Sequence, residues 1–328
     1  MRSAIVTGGG GFLGAVLVRQ LLESGYSVRG FSRSSYPELE ALGATWAKGD
    51  LRDANEIRDA CQNVDVVFHT AALAGVWGDW DTYFQINTQG TQNVIDACRA
   101  NGIGKLVYTS SPSVTFDGGD QEGVDESVRY PTKFLAHYPH SKALAEQLVL
   151  AANDDQLSTC SLRPHLIWGP GDPHLVPRII DRARSGRLRR VGNGRNLVDI
   201  SYVDNAADAH RLAADELFGE AKCAGKAYFI SQGEPVNCWV WIDEVLKLAG
   251  EPPLHKSISY RSAYAIGGVL EAVYKLLRRR EEPPMTRFVA SQLATSHYFD
   301  LSAATRDFGF AARVSTAEGM RRLADSLR

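Results

Sequence analysis

A chain of 328 residues, 44% hydrophobic and 23% charged, has the composition of a soluble globular protein and the length for one large core with a smaller satellite. A formal net charge of -2 and a single short basic cluster, Arg278 to Arg280, exclude nucleic acid as an expected partner. Five cysteines at wide separations, without a Cys-x-x-Cys pair, exclude a zinc ribbon or redox dithiol and suit a reducing cytosol.

Met1 and Arg2 lead directly into the first predicted strand, Ala4 to Thr7, too short for a signal-peptide core, so a cytoplasmic protein is expected. Thr7-Gly8-Gly9-Gly10-Gly11-Phe12-Leu13-Gly14 follows at once and opens a predicted helix, Phe12 to Ser24. In this strand-turn-helix setting Gly8 permits a tight turn, Gly11 lets backbone amides approach a pyrophosphate, and Gly14 lets helix and sheet pack closely. The helix N-terminus adds partial positive charge, so the segment from Gly8 through Phe12 and Leu13 to Gly14 reads as a dinucleotide cradle.

The second strand, Ser27 to Ser32, ends in Phe31-Ser32-Arg33-Ser34, where an NAD site would place a carboxylate for the adenosine ribose. Arg33 with Ser32 suits a 2′-phosphate instead, which favours NADP(H) over NAD(H). The third strand, Thr45 to Lys48, leads to Asp50 and Leu51, with the Asp50 carboxylate suited to the adenine amino group.

Helix Ala54 to Cys61, strand Val64 to His69, helix Asn87 to Ala100, strand Lys105 to Ser110, helix Ser141 to Asn153 and strand Ser158 to Arg163 complete an alternation of strands and crossover helices. The fold class is therefore α/β, a Rossmann-type doubly wound parallel sheet with a smaller C-terminal substrate lobe, and residues 1–164 form the dinucleotide-binding domain. Residues 165–328 are mainly the substrate lobe, with Asp199 to Ala213 and Cys238 to Ala249 as candidates to return to the main sheet.

Three positions carry candidate chemistry. Tyr138-Pro139-His140-Ser141-Lys142 sets a phenol and an ammonium on one helical face. The cation favours the phenolate, bringing a group with a pKa of about 10 toward the working range. Lys142 is also suited to the nicotinamide ribose. Tyr108-Thr109-Ser110-Ser111 offers hydroxyls at the carboxyl edge of the sheet, with Ser111 preferred to Ser110 for polarising a substrate oxygen. His137 and His140 lack a third ligand, so no metal is expected.

Together these motifs resemble the extended short-chain dehydrogenases/reductases, with Thr7 to Gly14 as cofactor fingerprint, Ser111, Tyr138 and Lys142 as catalytic set, and Asn87 in Asn87-Thr88-Gln89-Gly90-Thr91 as structural asparagine. Tyr138 to Lys142 and Leu162 to Gly169 look like the 3β-hydroxysteroid dehydrogenase/isomerase family. Ala72 to Trp80 and Lys105 to Val114 look like the bacterial 2-alkyl-3-oxoalkanoate reductases of olefin biosynthesis. The resemblance implies NADPH-dependent reduction of a 3-oxo carbon on an apolar substrate, with Tyr138 donating the proton. It also implies that Ala71, Asn87, Pro164 and His165 contact the cofactor, and that the chain forms a homodimer. A 3β-hydroxysteroid or sterol dehydrogenase is the first alternative. A nucleotide-sugar epimerase using Arg178, Arg182, Arg189 and Arg195 is the second, and a non-catalytic dinucleotide sensor the third.

The loop Leu73 to Trp80 emerges where substrate must sit, with Val76 and Trp77 as candidate substrate contacts and Trp80 as either wall or core packing. Ile266, Val269, Leu270, Val273 and Leu277 fall on one helical face ahead of Arg278 to Arg280. Ala263 to Arg280 is thus either a lid on the substrate lobe or an interfacial helix meeting a membrane or a pathway enzyme.

Overall fold

The computed structural model describes all residues, 1–328. Its centre is a seven-stranded sheet of β1 (Ser3–Thr7), β2 (Ser27–Ser32), β3 (Thr45–Lys48), β4 (Val66–His69), β5 (Lys105–Thr109), β6 (Ser158–Pro164) and β7 (Lys226–Ile230). All neighbours pair in parallel, in the order β7-β6-β5-β4-β1-β2-β3. The order reverses between β1 and β4, which opens the crevice where an α/β sheet takes its ligand.

Strand residues alternate between two covered faces, as the period of two requires. Ala4, Val6, Val66, Phe68 and Val107 meet a layer containing α1 (Phe12–Glu23) and α5 (Val203–Phe218). Ile5, Val67, Leu106 and Tyr108 meet α2 (Ala54–Ala60), α3 (Gly90–Ala100) and α4 (His137–Ala151). Each fully buried aliphatic side chain here stabilises the fold by about 1.5–3 kcal/mol.

Of the two segments expected to return to the sheet, the first does so. α5 packs on α1, β5 and β6, and its His210 Nε2 lies 2.7 Å from Thr109 Oγ1. The second does not, which corrects the reading of Cys238 to Ala249. Trp239, Trp241, Ile242 and Val245 of α6 (Cys238–Leu248) instead fill a separate core with Trp168, Ile179 and Ile200. A buried apolar face reads the same whichever core receives it. β7 and the helix Ser302–Phe308, neither expected from the sequence, also join the main body, through Tyr228, Ile230, Ala304 and Phe308.

A second sheet binds the lobe to the insertion after β5. His297–Phe299 runs parallel to both Gln121–Val124 and Leu197–Val198, and the latter pairs antiparallel with Val236–Asn237. All five cysteines are buried and free.

Candidate active site

The glycine cradle is shaped by contacts that admit no side chain. Gly8 has φ +69, and a Cβ there would lie 2.8 Å from the Ala71 Cα across the β1/β4 crevice. At Gly14 a Cβ would lie 2.2 Å from the Gly8 carbonyl oxygen, so α1 reaches the sheet only because that position is bare. Gly11 is the N-cap of α1 in extended conformation, with no side chain satisfying the helix's first amides. Those free N–H groups are what a pyrophosphate accepts. Phe12 and Leu13 supply the first turn.

Gly8, Gly11, Phe31, Ser32, Arg33, Asp50, Leu51 and Ala71 line one cleft of about 300 Å³. Arg33 is exposed at its rim and makes no ion pair or hydrogen bond. Ser32 is already engaged: its hydroxyl donates to the Ser34 carbonyl at 2.6 Å and accepts from Trp46 Nε1 at 3.1 Å. Its role is to fix the loop that presents Arg33. Asp50 is held in a two-pronged bond by Arg52, at 3.0 and 2.6 Å, which keeps its carboxyl below the usual range. The residues fit a dinucleotide.

The catalytic candidates converge at the carboxyl ends of β4 and β5. α4 starts at His137, four residues before the expected Ser141, and Pro139 lies in its first turn, where no intrahelical N–H bond is lost. Burial pushes the Tyr138 phenol above its ordinary value, and the neighbouring Ser111 hydroxyl pulls it partly back. Ser111 and Ser113 hydroxyls are 2.9 Å apart. Ser110 is buried, and its hydroxyl has no hydrogen-bond partner.

Lys142, one turn beyond Tyr138, is buried, with Nζ donating to the Thr109 carbonyl at 2.6 Å and lying 4.1 Å from the centre of the Tyr108 ring. Burial lowers its pKa to about 7, and the charge of Glu146 opposes that shift. Glu146 is itself buried and paired with Arg163 at 2.6 Å, and it accepts from Tyr130 and Ser161 at 2.7 and 2.8 Å.

Asn87 lies in a π-helical turn, Phe84–Gln89, ahead of α3, rather than at the start of a regular α-helix. It accepts from the Leu73 amide at 2.7 Å and donates to the Leu73 carbonyl at 3.1 Å and to Ser141 Oγ at 3.0 Å. One side chain therefore ties the loop after β4 to the catalytic helix. A second tie is absent from the sequence reading. His69 Nδ1 lies 2.7 Å from Thr7 Oγ1, and its Nε2 lies 2.9 Å from Thr91 Oγ1, which donates to the Asn87 carbonyl at 2.6 Å. Thr91 having spent its proton, His69 carries its hydrogen on Nε2, and burial keeps the ring neutral with a pKa of about 3. A lone polar residue inside Val66-Val67-Phe68-His69 was the available signal.

Pro164 ends β6 at the carboxyl edge. His165 follows it, but its ring turns into the protein: Nε2 lies 2.6 Å from His297 Nδ1, and the residue is buried. Its imidazole is thus spent on the lobe.

Val76 and Trp77 line a cavity of about 840 Å³ with Leu73, Tyr83, Phe134, Leu135 and Tyr274, bounded by His137, the neighbour of Tyr138. The Tyr83 ring centre is 6.5 Å from that of Tyr138. Trp77 Nε1 donates to the Arg279 carbonyl at 3.2 Å, which closes the loop onto the C-terminal end of α7 (Tyr260–Leu276). Trp80 instead packs on His140, with ring centres 4.6 Å apart. Arg178 and Arg182 are both bound to Glu282, and Arg189 and Arg195 are not among the cavity's lining residues.

Residues 5–259 match the model of the 3-beta hydroxysteroid dehydrogenase/isomerase family. The chain is 53% identical to a 2-alkyl-3-oxoalkanoate reductase of Shewanella oneidensis, over 99% of this chain and 86% of that protein. It is equally identical to one of Stenotrophomonas maltophilia, over 97% of each. A sterol-4-alpha-carboxylate 3-dehydrogenase (decarboxylating) of Mus musculus is 35% identical over 99% of this chain and 91% of that protein. Among solved structures, MoeE5 in complex with UDP-glucuronic acid and NAD superposes with a TM-score of 0.75 at 27% identity, covering 99% of this chain and 98% of that one. The chain is an oxidoreductase with a nicotinamide dinucleotide site, and it belongs to the 3-beta hydroxysteroid dehydrogenase/isomerase family.

Proposed function

We propose that the chain uses NADPH to reduce the 3-oxo group of a 2-alkyl-3-oxoalkanoate to the 3-hydroxy acid. The observation that carries this reading is the cavity of about 840 Å³ next to His137, the neighbour of Tyr138, lined by Leu73, Val76, Trp77, Tyr83, Phe134, Leu135 and Tyr274 together with Lys275 and Arg278 to Arg280. It suits a substrate with long apolar branches, and the two bacterial relatives bear that activity in their names.

When bound, the nicotinamide supplies or accepts a hydride at carbon. Tyr138 Oη gives its proton to the substrate oxygen, which the Ser111 hydroxyl polarises from the other side. Lys142, released from the Thr109 carbonyl, is placed to hold the nicotinamide ribose and to stabilise the phenolate left on Tyr138. Arg33, without a carboxylate to neutralise it, takes the 2′-phosphate and favours NADPH. Arg178 and Arg182, both bound to Glu282, are outside the cavity and are not free to hold a nucleotide diphosphate.

The test is cofactor oxidation with NADPH and with NADH in the presence of a racemic 2-alkyl-3-oxo acid, a 3-oxosteroid and a UDP-sugar, with product analysis. Turnover of the oxo acid with NADPH is expected. Turnover of the steroid alone, or of the sugar alone, would replace this reading.

A further inference from the structure

α7 carries apolar residues that the fold leaves in water. Ile266, Val269, Val273, Leu276 and Leu277 are exposed, Val269 by 63% and Leu276 by 83%, and at 100° per residue they form one stripe about 100° wide. The helix packs through a different face, with Ala263, Gly267 and Glu271 buried. A Cβ at Gly267 would lie 2.7 Å from the Thr286 backbone, so this inner face is already closed against the protein.

Charge distinguishes the possible occupants of the outer face. Between Ser259 and Arg280 there are five cations and one carboxylate, Glu271, which Arg287 neutralises at 2.7 Å. Lys275, Arg278, Arg279 and Arg280 are exposed, and none forms an ion pair. Arg278, Arg279 and Arg280 follow the stripe directly, while Lys275 falls on the side of α7 that lines the cavity. An apolar stripe joined to unpaired cations is the pattern that lies in the headgroup region of an anionic bilayer. No helix of the chain is long and apolar enough to cross a membrane, so the contact is peripheral.

The geometry points to the exposed stripe of α7 and the Arg278 to Arg280 turn as a docking surface for an anionic lipid bilayer. The docking is measured without substrate or cofactor, so it fails or holds separately from the proposed function.

The experiment is co-sedimentation of the full chain with vesicles of phosphatidylcholine alone and of phosphatidylcholine with phosphatidylglycerol. Binding to the anionic vesicles only, weakened by salt, is expected. Val269→Ser with Leu276→Ser should weaken it at least tenfold while the circular dichroism spectrum and melting temperature stay unchanged. Arg279→Ser should weaken it about fivefold. Absence of binding to anionic vesicles, or binding indifferent to the double substitution, would overturn the proposal. So would light scattering in which the double substitution halves the mass of the vesicle-free protein, since a second copy would then cover the face.

Discussion

Tyr138 and Lys142 were legible because their spacing on a helix and their place after a glycine cradle are local properties of the sequence. Ser111 is preferred to Ser110 on the sequence alone, although side-chain direction at a strand end depends on where the strand stops. β5 stops at Thr109, and Ser111 caps the turn Pro112–Thr115. The position of His165 beside Pro164 was readable, whereas the turn of its ring toward His297, 132 residues away, depends on a long-range contact. Arg33 gives the sharpest prediction at this scale. Arg33→Ser removes the only cation lining the adenosine cleft and should raise the Kd of NADPH about 10- to 100-fold, leaving NADH nearly unchanged. Equal weakening of both cofactors, measured by fluorescence titration, would remove the 2′-phosphate assignment.

The elements themselves were mostly visible, since alternating apolar residues and capping glycines set their limits. What escaped was the π-helical turn Phe84–Gln89, whose extra residue leaves the apolar periodicity nearly intact while turning Asn87 toward Leu73 and Ser141. β7 escaped as well, because Lys226-Ala227-Tyr228-Phe229-Ile230 is a short apolar run that periodicity alone does not assign to a strand rather than a buried helical segment. Two substitutions test the element-level account. Gly14→Ala drives a Cβ into the Gly8 carbonyl and should cost about 1–3 kcal/mol of unfolding free energy together with cofactor binding. A variant with native stability and affinity would show that α1 can move away freely. Glu146→Gln leaves the Arg163 guanidinium buried without its counter-charge and should cost about 3–5 kcal/mol in urea unfolding. A loss below 1 kcal/mol would mean that the pair is dispensable to the packing of α4 on β6.

At the scale of the whole molecule, the sheet order and the crevice between β1 and β4 follow from the βαβ pattern, while the assignment of C-terminal segments to one core or the other does not. α5, β7 and the helix Ser302–Phe308 join the main body and α6 joins the lobe, although each presents an ordinary apolar face. Assembly through these long-range contacts buries four histidines as neutral rings: His69, His165, His210 and His297, all with pKa values lowered by burial, to about 3 for His69 and about 4 for His210. The unfolded chain takes up protons near pH 6.5 that the folded chain refuses. The stability they contribute is therefore present above about pH 6.5 and is lost as pH falls, by up to about 1.4 kcal/mol per pH unit for each ring. Urea unfolding at pH 7, 6 and 5 should show this loss, and a flat profile would contradict the buried neutral assignment.

The most direct test of the central claim is Tyr138→Phe, measured in parallel for NADPH binding and for turnover of a 2-alkyl-3-oxo acid. The account predicts an unchanged Kd for NADPH and a fall in kcat of about 10²–10⁴, the contribution of a positioned proton donor. Undiminished turnover would contradict it, because the proton would then come from a group other than the phenol beside Ser111 and Lys142.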